Sequence, residues 1–406
     1  MFALISDDLA EETDRRLQRQ MRGQPADRHE FLVFFGAAID PAFGGLARLA
    51  FERFPCPVLA VDLRRERSGS WRLHAVRSVP FTRLDVDTRG HCIEALVAHL
   101  ARRWTSRRRR ERYRYDLAIL HDPDEPLPPS DRRALGRFVR AGRKLGLDVE
   151  RVTARDLGRI SEFDALFIRE TTQVAHHTYR FAAKAQAQDM VVIDDPDSIL
   201  RCTNKVYLAE LLATHRVATP RTVIARRESL LVVEEEIGYP VVLKIPDGSF
   251  SRGVVKAESR DELEAHAQTL FGESELILAQ EFLYTAYDWR IGVLDRQPLY
   301  ACRYFMYGKH WQIYNHAKGS DSAGDSETIP IEDAPRPVVR AALRAANLVG
   351  DGLYGVDVKQ AGRRVVVIEV NDNPSIDAGY EDAILGPELY ERIMGSFVRR
   401  LDAQMA

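Results

Sequence analysis

At 406 residues the chain is too long for one comfortable hydrophobic core, so two or three packed domains are expected. Hydrophobic residues at 45% and charged residues at 29% describe a soluble globular protein with ample apolar material. A formal net charge of -2 gives no bulk electrostatic reason to bind nucleic acid or an anionic membrane, and no apolar run is long enough to span a bilayer.

Residues 1 to 112 are the least readable third. Phe31-Leu-Val-Phe-Phe35 and Pro57-Val-Leu-Ala-Val61 have the composition of buried strands, and the spacing predicts a helix over 46–54 between them. A second helix, over 93–104, runs into the basic stretch Arg107-Arg-Arg-Arg110. That run reads as a solvated helix end or linker, with an RNA or acidic-protein contact as the alternative.

From 113 to 195 strand and helix alternate. Tyr115-Asp-Leu-Ala-Ile-Leu120 is a strand, and Ser130-Asp131 caps a helix to Lys144 with Gly146 just beyond its end. Strands over 147–152, 164–168 and 190–193 complete a set suited to a parallel sheet. No GxGxxG follows its first strand, so no dinucleotide site is expected.

From 196 to 406 the alternation is less regular, as in α+β packing. Helices are predicted over 204–215, 261–270, 337–348 and 386–401. Strands are predicted near Val223 and over 241–244, 253–257, 276–280, 289–294 and 299–306. A polar loop rich in Gly, Ser and Asp fills 318–335, a length typical of a lid. The start Met1-Phe-Ala-Leu-Ile-Ser-Asp-Asp8 lacks the order of a signal peptide. Cys56, Cys92, Cys202 and Cys302 have no metal-like spacing and read as reduced thiols of a cytoplasmic protein.

The chemistry concentrates near the end of the chain. Gly355-Val-Asp357-Val-Lys359 and Val365-Val-Val-Ile-Glu369-Val-Asn371 flank a turn at Ala361-Gly362-Arg363, the pattern of a β-hairpin. Glu369 and Asn371 are two apart and share a face. If the register adds Asp357, three hard oxygen donors converge, a set suited to Mg²⁺ or Mn²⁺ with phosphates completing the shell.

Upstream, Lys205 opens a helix and Lys244 ends an apolar strand. These are two of only eight lysines in an arginine-rich chain. Asp247-Gly248-Ser249-Phe-Ser251-Arg-Gly253 is a small-residue turn whose N–H and hydroxyl groups can approach phosphate, and Val254 excludes a Walker A loop. Gln280-Glu281-Phe282-Leu283 ends a strand in an acid and a turn, and the backbone groups of 281–283 can hold adenine. Asp288 can accept from ribose, and Arg290 is a candidate clamp for phosphate or carboxylate. Taken one at a time, each of these is also an ordinary surface residue or turn.

In this order the features resemble the ATP-grasp superfamily over about 190–406. Glu369-Val-Asn371-Asp-Asn373-Pro-Ser375 is similar to its RimK-like branch, amino-acid ligases that add glutamate to a carboxylate. The resemblance implies a fold that is α/β and α+β. It has a long N-terminal extension (1–112), a pre-ATP-grasp parallel-sheet domain (113–195) and a two-lobed ATP-grasp domain (196–406, central lobe about 215–285).

It also implies roles. Lys205, Lys244, Gly248, Ser249, Ser251, Gly253, Glu281, Phe282, Leu283 and Asp288 would bind ATP. Asp357, Glu369 and Asn371 would hold two Mg²⁺ or Mn²⁺ ions. Lys244 and Arg290 would be catalytic, and Arg290, Arg303, Asn315, Asn373 and Ser375 would face the substrate. The stretch 314–318 departs from the family's Arg-Ser-Asn pattern.

The implied reaction joins a glutamate-like amino acid to a carboxylate acceptor, a small molecule, peptide or protein, through an acyl phosphate. Self-association is left open. A kinase on a hydroxyl acceptor and a nucleotide-sensing module touching RNA or ribosomal protein are the alternatives.

Overall fold

The computed structural model describes residues 21, 26–66, 69–104, 113–246, 253–306 and 325–405. The chain divides into two compact units, 1–109 and 110–406. In the first, β1 (Arg28–Phe34), β2 (Ala37–Ala38), β3 (Val58–Arg65) and β4 (Trp71–Ser78) form a sheet in the order β2-β1-β3-β4, with helices α1 (Gly44–Arg53) and α2 (Val86–Trp104). Every pairing in it is antiparallel. Alternate residues of β1 and β3 (Val33, Leu59, Val61, Leu63) bury with Phe43, Ala47 and Trp71. β4 was not foreseen: Trp71-Arg-Leu-His-Ala-Val-Arg-Ser78 is polar at alternate positions, and its apolar partners are supplied by β3.

The second unit holds three sheets. The first is parallel. Its members are β5 (Tyr115–Leu120), β6 (Leu147–Val152), β7 (Ala165–Ile168) and β8 (Val191–Ile193), in the order β6-β5-β7-β8. Helix α3 (Arg132–Lys144) is capped by Asp131, whose carboxylate accepts from Ala134 N–H at 2.6 Å. It covers one face; α4 (His177–Gln186) covers the other. Helices α5 (Pro196–Thr203) and α6 (Lys205–Thr214) then lead onward.

The second sheet is antiparallel: β9 (Thr222–Ala225), β10 (Val241–Lys244), β11 (Val254–Ala257) and β12 (Ile277–Glu281), ordered β11-β10-β12-β9, with α7 (Leu230–Glu236) and α8 (Arg260–Leu270) on one face. The third has five antiparallel strands: β13 (Tyr287–Leu294), β14 (Gln297–Phe305), β15 (Ser326–Ile329), β16 (Leu353–Ala361) and β17 (Arg364–Asp372), ordered β15-β14-β13-β16-β17. Helix α9 (Arg336–Val349) packs on one of its faces. β15 lies inside the stretch expected to be a loop: its four residues, Ser326-Glu-Thr-Ile329, are paired by β14 rather than by any apolar run of their own.

The last helix, α10 (Pro387–Met405), packs Leu389, Ile393, Met394 and Phe397 into the same core as Leu117, Ile119 and Phe138 of the parallel sheet and its helix. That core also takes Leu294, Tyr300 and Leu353 from the third sheet. One apolar mass therefore fixes the parallel sheet against the sheet that carries the polar hairpin. No described helix is long and apolar enough to cross a membrane.

Candidate active site

Side chains alternate across a strand, so a sheet with a helix on one face offers only its other face to a ligand. On the third sheet Trp289, Ile291, Val293, Val356 and Val358 face α9. Their neighbours Asp288, Arg290, Asp357 and Lys359 therefore face away, and the register pairs Arg290 with Asp357. Across the hairpin Asp357 stands opposite Glu369 and Gly355 opposite Asn371.

A bulge sharpens this arrangement. Val358 pairs with Val367 and Asp357 with Glu369, which leaves Ile368 as the extra residue. Two consecutive residues then lie on the cleft side, and Ile368 and Glu369 do line one cleft together. The spacing of three between Val367 and Val370, both in the α9 core, is the same bulge seen from the other face.

Asp357 is the hub. Arg290 donates to both of its oxygens, Nε at 2.7 Å and Nη2 at 2.8 Å, and Asn371 Nδ2 donates to Oδ2 at 3.1 Å. Burial works against the Arg290 charge, but the fork on Asp357 outweighs it and raises the guanidinium above its ordinary range. Gly355 makes room for this fork: a Cβ there would stand 3.1 Å from Arg290 Cδ and 2.7 Å from Pro374 Cβ. Next along the strands, Lys359 Nζ sits 2.5 Å from Asp288 Oδ1 and 2.7 Å from Thr285 Oγ1. Burial raises the Asp288 carboxyl despite that partner.

The second sheet faces the cleft with the side opposite α7 and α8. There Lys244 donates to Gln280 Oε1 at 2.9 Å, and Gln280 Nε2 donates to Thr222 Oγ1 at 3.1 Å. Burial lowers the Lys244 ammonium. Lys205, the first residue of α6 behind its Asn204 cap, lies 2.8 Å from Glu369 Oε1. For Glu369 burial acts to raise its pKa, yet Lys205 and Lys244 pull it below its ordinary value. Lys205, Lys244, Gln280, Ile368 and Glu369 share a cleft of about 30 Å³. Ligand pockets run to roughly 300–1,000 Å³, so admitting a nucleotide requires these side chains to leave their present partners.

Two carboxylates and an amide carbonyl within one hairpin, flanked by cations, are a donor set that fits a hard divalent ion. The set has more positive neighbours than an isolated acidic pair needs, which suits an ion that arrives carrying phosphate.

Other expected site residues lie elsewhere. Arg303 is on the wrong face for the cluster: its guanidinium stacks 4.9 Å from the Trp289 ring and pairs with Glu327 at 3.1 Å. The cause is a second bulge. Leu294 pairs with Gln297 and Val293 with Pro298, a register that would bring Arg303 opposite Asp288, but from Gly292 onward the pairing slips by one and Arg303 meets Trp289. Asn373 is buried: Oδ1 accepts from Arg169 at 2.7 Å and Nδ2 donates to Glu170 O at 2.5 Å. It joins the hairpin to the parallel sheet instead of facing the cleft. Ser375 is half-buried, its carbonyl 3.4 Å from Tyr300 Oη.

Glu281 accepts from both Arg364 nitrogens, at 2.8 and 2.7 Å, which with a backbone bond from Arg221 drives it down to about 2. Phe282 carries Lys256 Nζ 5.0 Å from its ring centre, and Leu283 follows the strand end. Gly253, at φ +66, has its carbonyl bonded by Ile245 N–H. Gly248, Ser249, Ser251 and Asn315 lie outside the described residues, as does the run 107–110.

Sequence reasoning passed over Gln280, Thr285, Lys359 and Arg169 as partners. For Lys359 a signal existed: it is two residues from Asp357 on one strand. Arg169 gave none, since its role depends on Ser130 and Asn373, far away in sequence.

Residues 2–95 match the RimK-like ATPgrasp N-terminal domain, and residues 202–385 match the RimK-like ATP-grasp domain. A probable alpha-L-glutamate ligase of Rhodopirellula baltica is 24% identical over 229 residues, which is 55% of this chain and 54% of that protein. The match thus spans about half of that relative's length. The alpha-aminoadipate–LysW ligase LysX of Saccharolobus solfataricus is 28% identical over 252 residues, 58% of this chain and 87% of that one. Among solved structures, a D-alanine–D-alanine ligase from Bacillus anthracis superposes with a TM-score of 0.55 at 13% identity, covering 72% of this chain and 100% of the other, a likeness of fold. The two matched segments, both RimK-like, together span more than half of the chain, and the chain belongs to the RimK-like ATP-grasp family.

Proposed function

We propose that this chain is an ATP-dependent carboxylate–amine ligase that forms an amide bond through an acyl phosphate. The observation that carries the reading is the convergence of Asp357, Glu369, Asn371 and Arg290 on one polar sheet face, met by Lys205 of α6 and beside Lys244 of the neighbouring sheet. A carboxylate is a poor electrophile, and phosphorylating it supplies a leaving group that an amine can displace. In phosphoryl transfer the protein mainly positions groups and balances charge, which is what this cluster is equipped to do.

In this reading Lys205 and Lys244 contact the ATP phosphates, and Gly248, Ser249, Ser251 and Gly253 close over them. The backbone of Glu281, Phe282 and Leu283 holds adenine, and Asp288 holds ribose. Arg290 faces the transferring phosphoryl group and the substrate carboxylate. Asp357, Glu369 and Asn371 would hold Mg²⁺ or Mn²⁺, two ions in our reading, whose contribution when bound is to offset phosphate charge and polarise the γ-phosphoryl. Arg303 and Asn373 are not assigned substrate contacts, given their positions. Closure over the site shields the acyl phosphate from water.

A glutamate-like amino acid as the amine donor is supported by the glutamate-ligase relatives. The acceptor is a carboxylate on a small molecule, peptide or protein. Free Cys56, Cys92, Cys202 and Cys302 support a cytoplasmic location. The domain division we propose remains 1–112, 113–195 and 196–406.

The test is phosphate release from ATP across a panel of amino acids and carboxylates, with mass spectrometry of the products. Release that requires both an amine and a carboxylate, with an amide product, supports the ligase. A phosphorylated hydroxyl product without an amide overturns it in favour of a kinase.

A further inference from the structure

We propose that Glu170, His176 and His177 form a second metal site, for a transition-metal ion of the Zn²⁺ class, separate from the Asp357–Glu369 cluster. Glu170 and His176 sit on the loop that leaves β7, and His177 opens α4, within the run Glu170-Thr-Thr-Gln-Val-Ala-His176-His177. One ligand atom from each lies within 4.8 Å of the others, and among the described residues this is the group of His, Cys, Asp and Glu side chains with that property. Tetrahedral ligation at about 2.0–2.1 Å needs donor atoms roughly 3.3 Å apart, so small side-chain adjustments complete the shell.

The direction of the contacts is the second observation. His177 Nε2 lies 2.5 Å from Glu170 Oε1, yet Nε2 makes no aligned hydrogen bond, and neither does Glu170 Oε2. An imidazole nitrogen carries its lone pair, or its proton, along a single in-plane direction. A nitrogen this close to an oxygen but not aimed at it points beside it. Two ligands that converge on a third atom have this relation.

Burial adds weight, because the Glu170 side chain is only 3% exposed. A buried carboxylate with one oxygen unpartnered is unfavourable until a cation meets it. The His176 and His177 ring centres stand 3.8 Å apart, which keeps both imidazoles beside the Glu170 carboxylate. Thr178 Oγ1, 3.3 Å from His176 Nδ1, accepts from Gln173 N–H and steadies the loop. His176 is 39% exposed and gives an ion a way in.

The donor set also selects the metal. Two imidazoles and one carboxylate suit Zn²⁺, Co²⁺ or Ni²⁺, whereas Mg²⁺ prefers oxygen donors, so the ion that accompanies ATP does not fill this site. Three protein ligands leave a coordination position open. The position in the fold gives that opening a use. In the order β6-β5-β7-β8 the chain switches sides between β5 and β7, and ligands of parallel sheets gather at the carboxyl ends there. A cleft of about 630 Å³ opens at those ends, lined by His121, Glu125, Arg132, Arg151 and Arg169 among others. Glu125 ties it to the metal loop by accepting from Thr171 N–H at 3.2 Å.

The experiment uses the tag-free full chain, stripped with chelator and titrated with Co²⁺ while visible absorption is recorded. The expected result is a d–d band that saturates at one Co²⁺ per chain, persists in excess Mg²⁺ and is displaced by Zn²⁺. The band is lost in Glu170→Gln and His177→Ala, and in His176→Ala, whose exposed side chain puts the fold at least risk. It is kept in Glu369→Gln. A wild-type chain with no band, a band that survives both histidine substitutions, or one abolished by Mg²⁺ or by Glu369→Gln overturns the proposal.

Discussion

Two arginines in the second unit show how the partner, more than the burial, sets what a side chain is for. Arg169 is fully buried, and Arg290 is half-buried, its side chain 17% exposed. Arg290 is held by a carboxylate, Asp357, which can exchange one cation for another. Arg169 is held by neutral oxygens: Ser130 Oγ, Asn373 Oδ1 and the carbonyls of Pro129 and Pro374. Its rings of contact are Phe167 and Phe138, at 5.4 and 5.9 Å. Burial without a paired carboxylate brings it down to about 10, still charged at neutral pH. The first arrangement can be redistributed when a ligand arrives. The second can only be kept or broken, so it reads as scaffold.

The sharpest way to break this comparison is to delete each arginine in turn. Arg290→Ala should lower ligase turnover by about 10²–10³, as removal of one preorganised donor does, with little change in thermal midpoint. Steady-state phosphate release measures it, and an unchanged rate would remove Arg290 from the reaction. Arg169→Met should do the converse. It strands Asn373 and Ser130 and costs on the order of 3 kcal/mol of stability, read from urea unfolding, while the folded fraction keeps its nucleotide affinity. Full stability in this variant would contradict the scaffold role.

Gly355→Ala tests the packing between the two regions. Its new Cβ would press on Arg290 Cδ and Pro374 Cβ together. A displaced fork should reduce turnover by about tenfold with the ATP KM less affected, and equal loss in both would mean general misfolding.

The smallest effect belongs to Glu281. Arg364 and Arg221 hold its pKa near 2 against an ordinary 4.5. A depressed carboxyl stabilises the fold above the unfolded value, and that contribution fades as pH falls from 4.5 towards 2. Because Arg364 is 45% exposed, solvent screening limits the pair to about 1 kcal/mol. Glu281→Gln should cost that much at pH 7 and nothing near pH 2. Equal stability of the two proteins at pH 7 would leave the pair without a role in folding.

Much of this was legible in the residues. Period-two spacing put Glu369 and Asn371 on one face, and apolar alternation put β10, β5 and β6 where they occur. What the sequence withheld was register. Residue spacing counts along one strand, but Arg303 was sent to the wrong face by a slip at Gly292 and Val293, which depends on how β13 and β14 pair. Asn373 was expected at the site from the resemblance of Glu369-Val-Asn371-Asp-Asn373-Pro-Ser375 to the RimK-like branch. Yet it lies beyond the end of β17, with φ +46, and its side chain turns into the parallel sheet. Helices α4, α5 and α7 escaped notice because they are short and draw their stability from neighbours rather than from pattern.

The shared core beneath α10 has a consequence for how the molecule is made. On the ribosome, β5 to β8 emerge well before Pro387–Met405, the helix that seals one side of that sheet. Until then Leu117, Ile119 and Phe138 lack their cover from Leu389, Ile393 and Phe397. A nonsense codon just before Pro387 would therefore remove no proposed nucleotide ligand and still leave the earliest sheet of this unit sticky and prone to aggregate.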